Sequence, residues 1–130
     1  MTYAAITGWG KCMPPAVLTN ADLATFLETD DEWITSRTGM KERRISHVNA
    51  VELAYVASKR ALACAGLLPS DIDLIVYGSC SFDEMVPNTA SALQYKLAAG
   101  NAASMDVNTA CTSFLYSWTT ANATIRSGVV

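Results

Sequence analysis

The stretch Met105-Asp106-Val107-Asn108-Thr109-Ala110-Cys111-Thr112-Ser113-Phe114 joins a buried strand directly to a long helix. The strand is predicted over residues 104–107 and the helix over residues 111–127, with Gly128 as its stop. Apolar side chains occupy much of the helix circumference, which is typical of a helix buried between two layers. A strand that leads straight into such a helix indicates an α/β fold.

The residues before this junction repeat the same alternation of strand and helix. The continuous apolar run Leu74–Gly78 predicts a strand covered on both faces. Helices are predicted over residues 51–65, where Gly66 follows as a stop, and from Asn88 or Thr89 to Leu97, closed by Gly100. Strands that alternate with helices predict a mostly parallel sheet with helices on its faces.

Shorter elements are predicted in the first fifty residues. A strand is predicted over residues 4–10 and a loop at Pro14-Pro15. A helix follows over residues 19–27, capped by Thr19 or Asn20, and a second helix over residues 30–36 stops near Gly39. A strand is predicted over residues 41–45. With no repeat and no linker, the chain reads as one domain or as one half of a larger one.

Composition excludes several classes of function. The 130 residues are 51% hydrophobic and carry a net charge of −3, so they offer no basic surface for nucleic acid or an anionic membrane. No apolar run approaches the roughly 20 residues that span a bilayer. The first residues show no basic segment followed by an apolar one, so we expect no signal peptide and a cytoplasmic location.

The four cysteines have neither disulfide nor zinc-site spacing. No two of them form a CxxC pair, and a single histidine, His47, accompanies them, so we expect no metal site. Nothing indicates secretion, which makes a disulfide framework unexpected. We therefore interpret Cys12, Cys64 and Cys80 as small buried apolar residues.

Cys111 is the cysteine whose position suggests chemistry. In the first turn of a long helix, the dipole and the unpaired amides favour thiolate over thiol. Small neighbours leave room for a substrate carbonyl beside the sulfur, and such a thiolate suits thioester exchange. On position alone, a buried and inert cysteine remains the better interpretation.

Trp33 and Arg37 lie four residues apart, so on a helix they share a face. An aromatic ring beside a guanidinium suits a flat base next to a phosphate. The residues alone favour a plainer alternative, in which Trp33 packs on the core and Arg37 caps a carboxylate.

Three blocks of sequence, in order, resemble the β-ketoacyl-acyl carrier protein synthase III family of the thiolase superfamily. They are Gly8-Trp9-Gly10 through Pro14 with Thr19-Asn20-Ala21-Asp22-Leu23, then Asp31-Glu32-Trp33-Ile34 with Arg37-Thr38-Gly39-Met40 and Glu42-Arg43, then Asp106-Val107, Ala110-Cys111, Phe114 and Ser127-Gly128. The resemblance implies a thiolase-like fold, of which residues 1–130 are the amino-terminal half: one βαβαβ-type half with a mostly parallel sheet and a buried nucleophile helix. The carboxy-terminal half is expected to lie outside this chain.

The resemblance also implies a two-step reaction. Cys111 takes an acyl group from acyl-coenzyme A, and a carbanion from malonyl-acyl carrier protein then attacks the acyl-enzyme, as in fatty acid biosynthesis. Coenzyme A thioester is thus a substrate, and no permanently bound cofactor is expected. The family's catalytic histidine and asparagine come from its second half, so His47 is interpreted as a solvated loop histidine.

Further site residues follow from the same resemblance. Trp33 stacks on the adenine of coenzyme A, Arg37 binds nearby polar groups, and Thr29 makes another contact with this ligand. Val86 reaches the acyl pocket, often that of the partner subunit in a homodimer.

The chain departs from the family's pattern at several positions. Thr112-Ser113 stands where Ala-Gly is usual, Asn108-Thr109 replaces a pair of small apolar residues, and Val86 replaces a large aromatic. These changes keep the acyltransferase class but leave room for an enzyme of secondary metabolism with a longer or unusual acyl donor. A non-catalytic partner subunit is the third alternative, and the cysteine at the nucleophile position argues against it.

Overall fold

The computed structural model describes residues 3–130, which form two compact units. The smaller unit is Met13–Val48, and the larger unit combines residues 3–12 with Asn49–Val130. None of the described helices is both long and apolar enough to cross a bilayer.

The smaller unit is an antiparallel strand pair with two short helices between its strands. In chain order its elements are β1 (Ala16–Thr19), α1 (Asn20–Leu23), α2 (Asp31–Thr38) and β2 (Glu42–Ile45). The strands pair from Ala16 opposite Ile45 to Thr19 opposite Glu42. The second helix and the second strand were predicted, whereas β1 was not, and α1 ends earlier than the predicted residue 27.

Side chains at the helix starts explain where these helices begin. Thr19 caps α1 in a reciprocal capping box with Asp22, so it is Thr19 rather than Asn20, the other predicted candidate, that takes this role. The Asp30 carboxylate accepts the Trp33 amide at 2.7 Å and so caps α2. Gly39 ends α2 in the left-handed region, with φ of 71°.

A buried asparagine holds the smaller unit together. The Asn20 side-chain amide donates to the Asp31 carboxylate at 2.7 Å and to the Met40 carbonyl at 2.9 Å. Its carbonyl oxygen accepts from the Arg43 guanidinium at 2.7 Å. These partners lie in α2, in the turn after α2 and in β2, so Asn20 of α1 links both helices to β2.

The larger unit is an α/β arrangement built around a parallel strand pair. Its elements are α3 (Ala50–Ala65), β3 (Leu74–Gly78), α4 (Thr89–Leu97), β4 (Ala103–Val107) and α5 (Ser113–Ser127). Strands β3 and β4 pair in parallel from Leu74 beside Ala103 to Gly78 beside Val107, and α4 connects them. The predicted α/β class with a parallel sheet is confirmed.

The core of the larger unit lies where α4 and the turn after it meet the sheet and α3. Its buried side chains are Leu93, Leu97, Ala99 and Ala102. Tyr55 and Leu62 of α3 and Ile75 of β3 pack against them. Since α4 fills this core, the strand–helix–strand unit forms around it.

The strand predicted over residues 4–10 is wrong, because these residues adopt no strand in the structure. No strand among the described residues pairs with them, and an unpaired backbone does not form a ladder. Gly8 and Gly10 instead lie against α3, where an added Cβ would overlap the carbonyl oxygens of Ala61 and Ala57. The glycines therefore serve close packing on a helix rather than ending a strand.

The stops predicted for the longer helices hold with one exception. Gly66 and Gly128 end α3 and α5 in the left-handed region, with φ of 70° and 71°. Helix α4 ends instead at Ala98, which takes φ of 58° although it is not a glycine. Gly100, predicted to close this helix, lies two residues further on.

Candidate active site

Cys111 lies at the junction between the parallel strand pair and helix α5. Strand β4 ends at Val107, a 3₁₀ turn spans Ala110–Thr112, and α5 begins at Ser113. Cys111 is thus in the turn before the helix, and the prediction that it occupies the first helical turn is wrong. The side chain is exposed, which makes the sulfur accessible to a reagent or substrate.

Backbone amides at the start of α5, which the sequence predicted to be unpaired, form hydrogen bonds within the 3₁₀ turn. The Thr112 amide donates to the Thr109 carbonyl at 3.2 Å, and the Ser113 amide donates to the Ala110 carbonyl. These two donors at the start of α5 are therefore already paired, and the helix dipole rather than a set of open amides is what Cys111 meets there.

The backbone just before Cys111 is strained. Ala110 has φ of 50°, in the left-handed region that costs a non-glycine residue about 1–2 kcal/mol. Thr109 has φ of −132° and ψ of 36°, outside the regular regions. Strained residues of this kind cluster at functional sites when their surroundings hold them in place.

Hydrogen bonds from neighbouring side chains hold this strained segment. The Ser113 hydroxyl accepts the Thr109 amide at 3.0 Å and donates to the Ala110 carbonyl at 2.8 Å. The Asn108 side-chain oxygen accepts the Ala110 amide at 3.3 Å. Each bond contributes about 0.5–1.5 kcal/mol net, enough together to offset the cost of the left-handed residue.

Asp106, part of the motif around Cys111, has a structural role in the chain. Its carboxylate accepts the Thr89 amide at 3.0 Å and the Ala90 amide at 2.8 Å, at the start of α4. This arrangement satisfies two free donors of a helix with a negative charge at its positive end. Asp106 thus ties β4 to α4 directly before the Cys111 junction, which sequence spacing does not reveal.

Helix α5 carries large apolar side chains, as predicted, but the described chain leaves several of them uncovered. Four large side chains on it are exposed, namely Phe114, Leu115, Tyr116 and Trp118, the last at 38%. Among the residues of α5, Ser113 is the one that the structure buries. The predicted burial of the nucleophile helix therefore requires a covering surface that the described residues do not supply.

An apolar groove runs along part of this uncovered surface. It has a volume of about 510 Å³ and lies between β3 and α5. Phe114 and Trp118 line it and stack on each other, with ring centres 6.5 Å apart. Apart from Asp71 and Asp73, its lining has no ionisable side chain, so the groove suits packing rather than proton transfer.

The other three cysteines differ from the prediction of small buried residues. Cys12 is half-buried, whereas Cys64 and Cys80 are exposed, and all four cysteines are free. Cys64 lies at the end of α3, and Cys80 lies in the loop after β3. Exposure therefore does not distinguish Cys111 from Cys64 and Cys80, whereas the strained backbone directly before Cys111 does.

Metal binding has no support in the part of the chain that the structure describes. Residues 3–130 contain no group of three or more His, Cys, Asp or Glu side chains that could hold an ion. His47 is exposed in the segment between β2 and α3.

The predicted coenzyme A residues lie together in the smaller unit. The guanidinium carbon of Arg37 is 4.7 Å from the centre of the Trp33 ring. Trp33 is 54% exposed, so it is not a core residue, and among the described ion pairs none involves Arg37. This geometry does not fit the alternative of a core tryptophan with a carboxylate-capping arginine.

A second groove, of about 480 Å³, lies beside this pair. Trp33 and Thr29 line it together with apolar residues such as Leu27, Ile34 and Met40. The Thr29 hydroxyl is buried and has no hydrogen-bond partner within the described residues. A buried hydroxyl without a partner is unusual and marks a place where a ligand group or a water molecule would bind.

Val86 lies in the loop between β3 and α4. The residue is 83% exposed, so it does not pack into a pocket formed by the described residues. Asp83 anchors the loop, because its carboxylate accepts the Ala50 and Val51 amides at 2.8 and 2.9 Å. The role of Val86 in an acyl pocket stays a prediction.

Known proteins share both the sequence and this arrangement. β-Ketoacyl-acyl-carrier-protein synthase III 2 of Vibrio vulnificus is 57% identical over 126 residues, which cover 97% of this chain and 35% of the relative. The crystal structure of 3-oxoacyl-acyl-carrier-protein synthase III from Aquifex aeolicus is 40% identical with a TM-score of 0.89, and the match covers 95% of this chain and 40% of that one.

The chain is synthase III-like. A third protein, the priming β-ketosynthase from the R1128 polyketide biosynthetic pathway, has a TM-score of 0.89 at 30% identity over 97% of this chain and 38% of its own. No protein-family model matches the chain. The thiolase-like fold implied by the resemblance is confirmed by these structures.

The synthase III-like chain spans about 35–40% of the length of these relatives. This share is smaller than the half that the resemblance implies. The roles of Cys111, Trp33, Arg37, Thr29 and Val86 remain predictions.

Proposed function

We propose that the protein containing this chain is an acyltransferase that forms a carbon–carbon bond by decarboxylative condensation, with Cys111 as the acyl-carrying residue. The observation that carries the proposal is the exposed Cys111 on a strained turn between β4 and α5, in a chain whose relatives are named β-ketoacyl synthases. The position offers a nucleophile with open access on a rigid support.

In the first step, the sulfur of Cys111 attacks the carbonyl carbon of an acyl-coenzyme A. The new carbon–sulfur bond to Cys111 forms as the bond to the coenzyme A sulfur breaks, and the cysteine proton ends on the released thiol. The small side chains of Ala110 and Thr112 flank the sulfur, so a carbonyl group can approach it. The dipole of α5 favours negative charge near the attacking atom.

In the second step, a malonyl group on acyl carrier protein loses carbon dioxide, and its carbanion attacks the acyl carbonyl. The bond to Cys111 breaks, and the cysteine sulfur regains a proton as the 3-oxoacyl product leaves on the carrier. This step needs hydrogen-bond donors for the enolate oxygen. Exposed His47 does not fit that task, and the proposal assigns it to a histidine and an asparagine outside residues 1–130.

Coenzyme A binding is assigned to the smaller unit. The exposed Trp33 indole can stack on the adenine, while Arg37 over the same ring adds positive charge for the phosphates. The buried and unpartnered Thr29 hydroxyl offers a donor to the same ligand. The coenzyme is a substrate in this proposal, with no resident cofactor.

Assembly and chain-length choice belong to the same proposal. We place the enzyme in the cytoplasm as a homodimer, in which the exposed Val86 of one subunit reaches the acyl pocket of the other. Valine is smaller than the aromatic residue common in the family, which leaves space for donors longer than acetyl. Each added methylene that fits would contribute about 0.8 kcal/mol.

A second candidate is the priming of secondary-metabolite synthesis. The fold match to a polyketide priming ketosynthase supports it, as do the departures at Val86 and Thr112-Ser113. Both candidates share the Cys111 chemistry and differ in the acyl donor.

The test is the intact mass of the protein after exposure to acyl-coenzyme A thioesters of increasing chain length. A single added acyl group that maps to Cys111 supports the proposal, and the best donor separates the two candidates. If no thioester adds mass, or if the mass maps to Cys80, the proposed function is wrong.

A further inference from the structure

The Ser113 hydroxyl makes two hydrogen bonds that bracket the turn before Cys111. It accepts the Thr109 amide at 3.0 Å and donates to the Ala110 carbonyl at 2.8 Å. Ser113 is 3% exposed, so water does not compete for either bond. The side chain thus joins the start of α5 to the two residues that precede the cysteine.

These two residues are the ones that depart from regular backbone geometry. Ala110 lies in the left-handed region, and Thr109 lies outside the regular regions. An alanine without support would relax toward negative φ. Because Cys111 follows Ala110 directly, such a relaxation would turn the cysteine away from its present position.

No other hydroxyl on α5 makes bonds of this kind in the described structure. Those of Thr119, Thr120, Thr124 and Ser127 donate to carbonyls three or four residues earlier in the same helix. Such bonds are ordinary for helical Ser and Thr. The Ser113 hydroxyl differs because it also accepts an amide from outside the helix.

We propose that Ser113 is a positioning residue for acyl transfer, because its hydroxyl holds the strained turn that presents the Cys111 sulfur. The proposal rests on the proposed function above. The glycine usual at this position in the resembled family has no side chain to make these bonds, so Ser113 would be a device of this chain.

The experiment compares Ser113→Ala with Ser117→Ala in the protein that carries this chain. Ser117 lies one turn further along α5, and its buried hydroxyl has no hydrogen-bond partner among the described residues. The control therefore removes the same atom from the same helix without breaking a bond. The rate constant for acylation of Cys111 and its half-saturating acyl-coenzyme A concentration are read by intact mass in single turnovers.

We expect Ser113→Ala to lower the maximal acylation rate about tenfold or more, with the half-saturating concentration unchanged, since small misplacements of a nucleophile are costly. Ser113→Thr, which keeps the hydroxyl, should restore most of the rate, and Ser117→Ala should stay close to the parent. Equal rates for Ser113→Ala and the parent, or equal losses in Ser113→Ala and Ser117→Ala, would overturn the proposal.

A folding defect is separated by a second pair of variants. If Ser113→Ala does not fold, Ser113→Thr and Ser113→Gly are compared: a fast threonine and a slow glycine support the proposal, and equal rates overturn it. A parent protein that no acyl-coenzyme A acylates overturns the proposed function and this inference together. If the parent is acylated and Ser113→Ala is acylated at the same rate, this inference alone is overturned.

Discussion

The guanidinium of Arg37 lies over the indole of Trp33, with its central carbon 4.7 Å from the ring centre. Both residues belong to α2, four positions apart, so the helix itself brings them together. The pair combines a flat apolar face with a fixed positive charge beside an apolar groove. Such a surface suits a nucleotide, because a nucleotide combines a flat base with negatively charged phosphates.

Trp33→Ala is expected to raise KM for the acyl donor more than it lowers kcat. Stacking on the adenine is binding that lies far from the reacting carbon, so it affects substrate capture rather than chemistry. A base–aromatic contact is worth about 1–3 kcal/mol, which corresponds to a rise in KM of about fivefold or more. Steady-state kinetics with varied acyl-coenzyme A measures the effect.

Two controls make this result specific. Trp33→Phe keeps an aromatic face and should recover part of the affinity. Trp9→Ala removes another exposed indole, which belongs to the larger unit and does not line the groove beside Trp33, and should leave KM unchanged. A Trp33→Ala protein that loses only stability, with KM unmoved, would argue against the coenzyme A contact.

Cys111→Ala is expected to abolish acyl-enzyme formation while the fold remains intact. The side chain is exposed and small, so its removal leaves no cavity in the core. Intact mass after incubation with acyl-coenzyme A measures the outcome, and circular dichroism checks the fold. Cys80→Ala, which removes another exposed cysteine, is the matched control and should be acylated normally. Acyl mass on Cys111→Ala would exclude Cys111 as the nucleophile.

Sequence patterns located most helices and strands because their signals are local. The apolar stripe and Gly66 predicted α3, and the apolar run Leu74–Gly78 predicted β3, each close to the observed bounds. Asn88 and Asp30 start their helices by accepting amides three residues ahead, a spacing that sequence shows directly. Elements with such signals need no knowledge of the rest of the fold.

The features that sequence missed depend on distant partners or on unusual backbone. Strand β1 forms only because β2, more than twenty residues later, pairs with it. Ala98 and Ala110 adopt left-handed backbone without being glycines, so sequence reveals neither. The end of α4 at Leu97 was predicted correctly, but its stop was assigned to Gly100 instead of Ala98, and the turn at Cys111 was predicted as helix. Asp106 caps a helix that begins seventeen residues earlier, which no spacing rule predicts.

The candidate site was found from family motifs rather than from physical patterns. Cys111 alone looked like an ordinary buried cysteine, and the residues favoured a core position for Trp33. The structure adds information that a motif does not contain, namely the exposure of Cys111 and Trp33 and the hydrogen bonds of Ser113 across the turn before Cys111. These depend on the three-dimensional course of the backbone, which a linear motif does not describe.

Val86→Phe is expected to shift donor preference toward short acyl chains. A phenyl ring adds bulk where valine leaves space, so longer chains would lose the methylene contacts that favour them, each worth about 0.8 kcal/mol. The ratio of kcat/KM for a medium-length donor to that for acetyl-coenzyme A measures the shift. Met85→Phe places the same ring one residue earlier at another exposed position and should leave the ratio unchanged. An unchanged ratio in Val86→Phe would remove Val86 from the acyl pocket.

Acid is expected to weaken the smaller unit through Asp31. The hydrogen bond from the Asn20 amide, assisted by the nearby Lys41 charge, lowers the pKa of the Asp31 carboxyl. A carboxyl whose pKa is lowered by folding stabilises the folded state above its unfolded pKa of about 3.9, and this contribution is lost as the pH falls through the lower folded pKa. Asp22, whose pKa the Thr19 hydroxyl lowers, acts in the same direction.

Urea midpoints measured from neutral pH down to below about pH 3.9 test this dependence. The parent should lose stability over the acid range, and Asp31→Asn should show a smaller loss, because its side chain no longer titrates. The remaining slope is expected to include Asp22. An identical acid slope for the parent and Asp31→Asn would show that Asp31 contributes nothing to the pH dependence.

Residues 1–130, expressed alone, are expected to associate in solution and to form no condensation product. Helix α5 exposes Phe114, Leu115, Tyr116 and Trp118, of which Phe114 and Trp118 line the apolar groove. Exposed apolar patches favour association. Size-exclusion chromatography measures association, and an assay with acyl-coenzyme A and malonyl-acyl carrier protein measures condensation.

Two substitutions separate the α5 surface from other exposed apolar residues. Leu115→Gln should reduce association, because it places a polar group among the exposed apolar side chains of α5. Leu68→Gln changes an exposed leucine that does not belong to α5 and should have no effect. Condensation should be absent in all three proteins, since the proposed mechanism takes the enolate-stabilising histidine and asparagine from outside this chain. A monomeric 1–130 that releases 3-oxoacyl product would contradict both expectations, because its own residues would then cover α5 and stabilise the enolate.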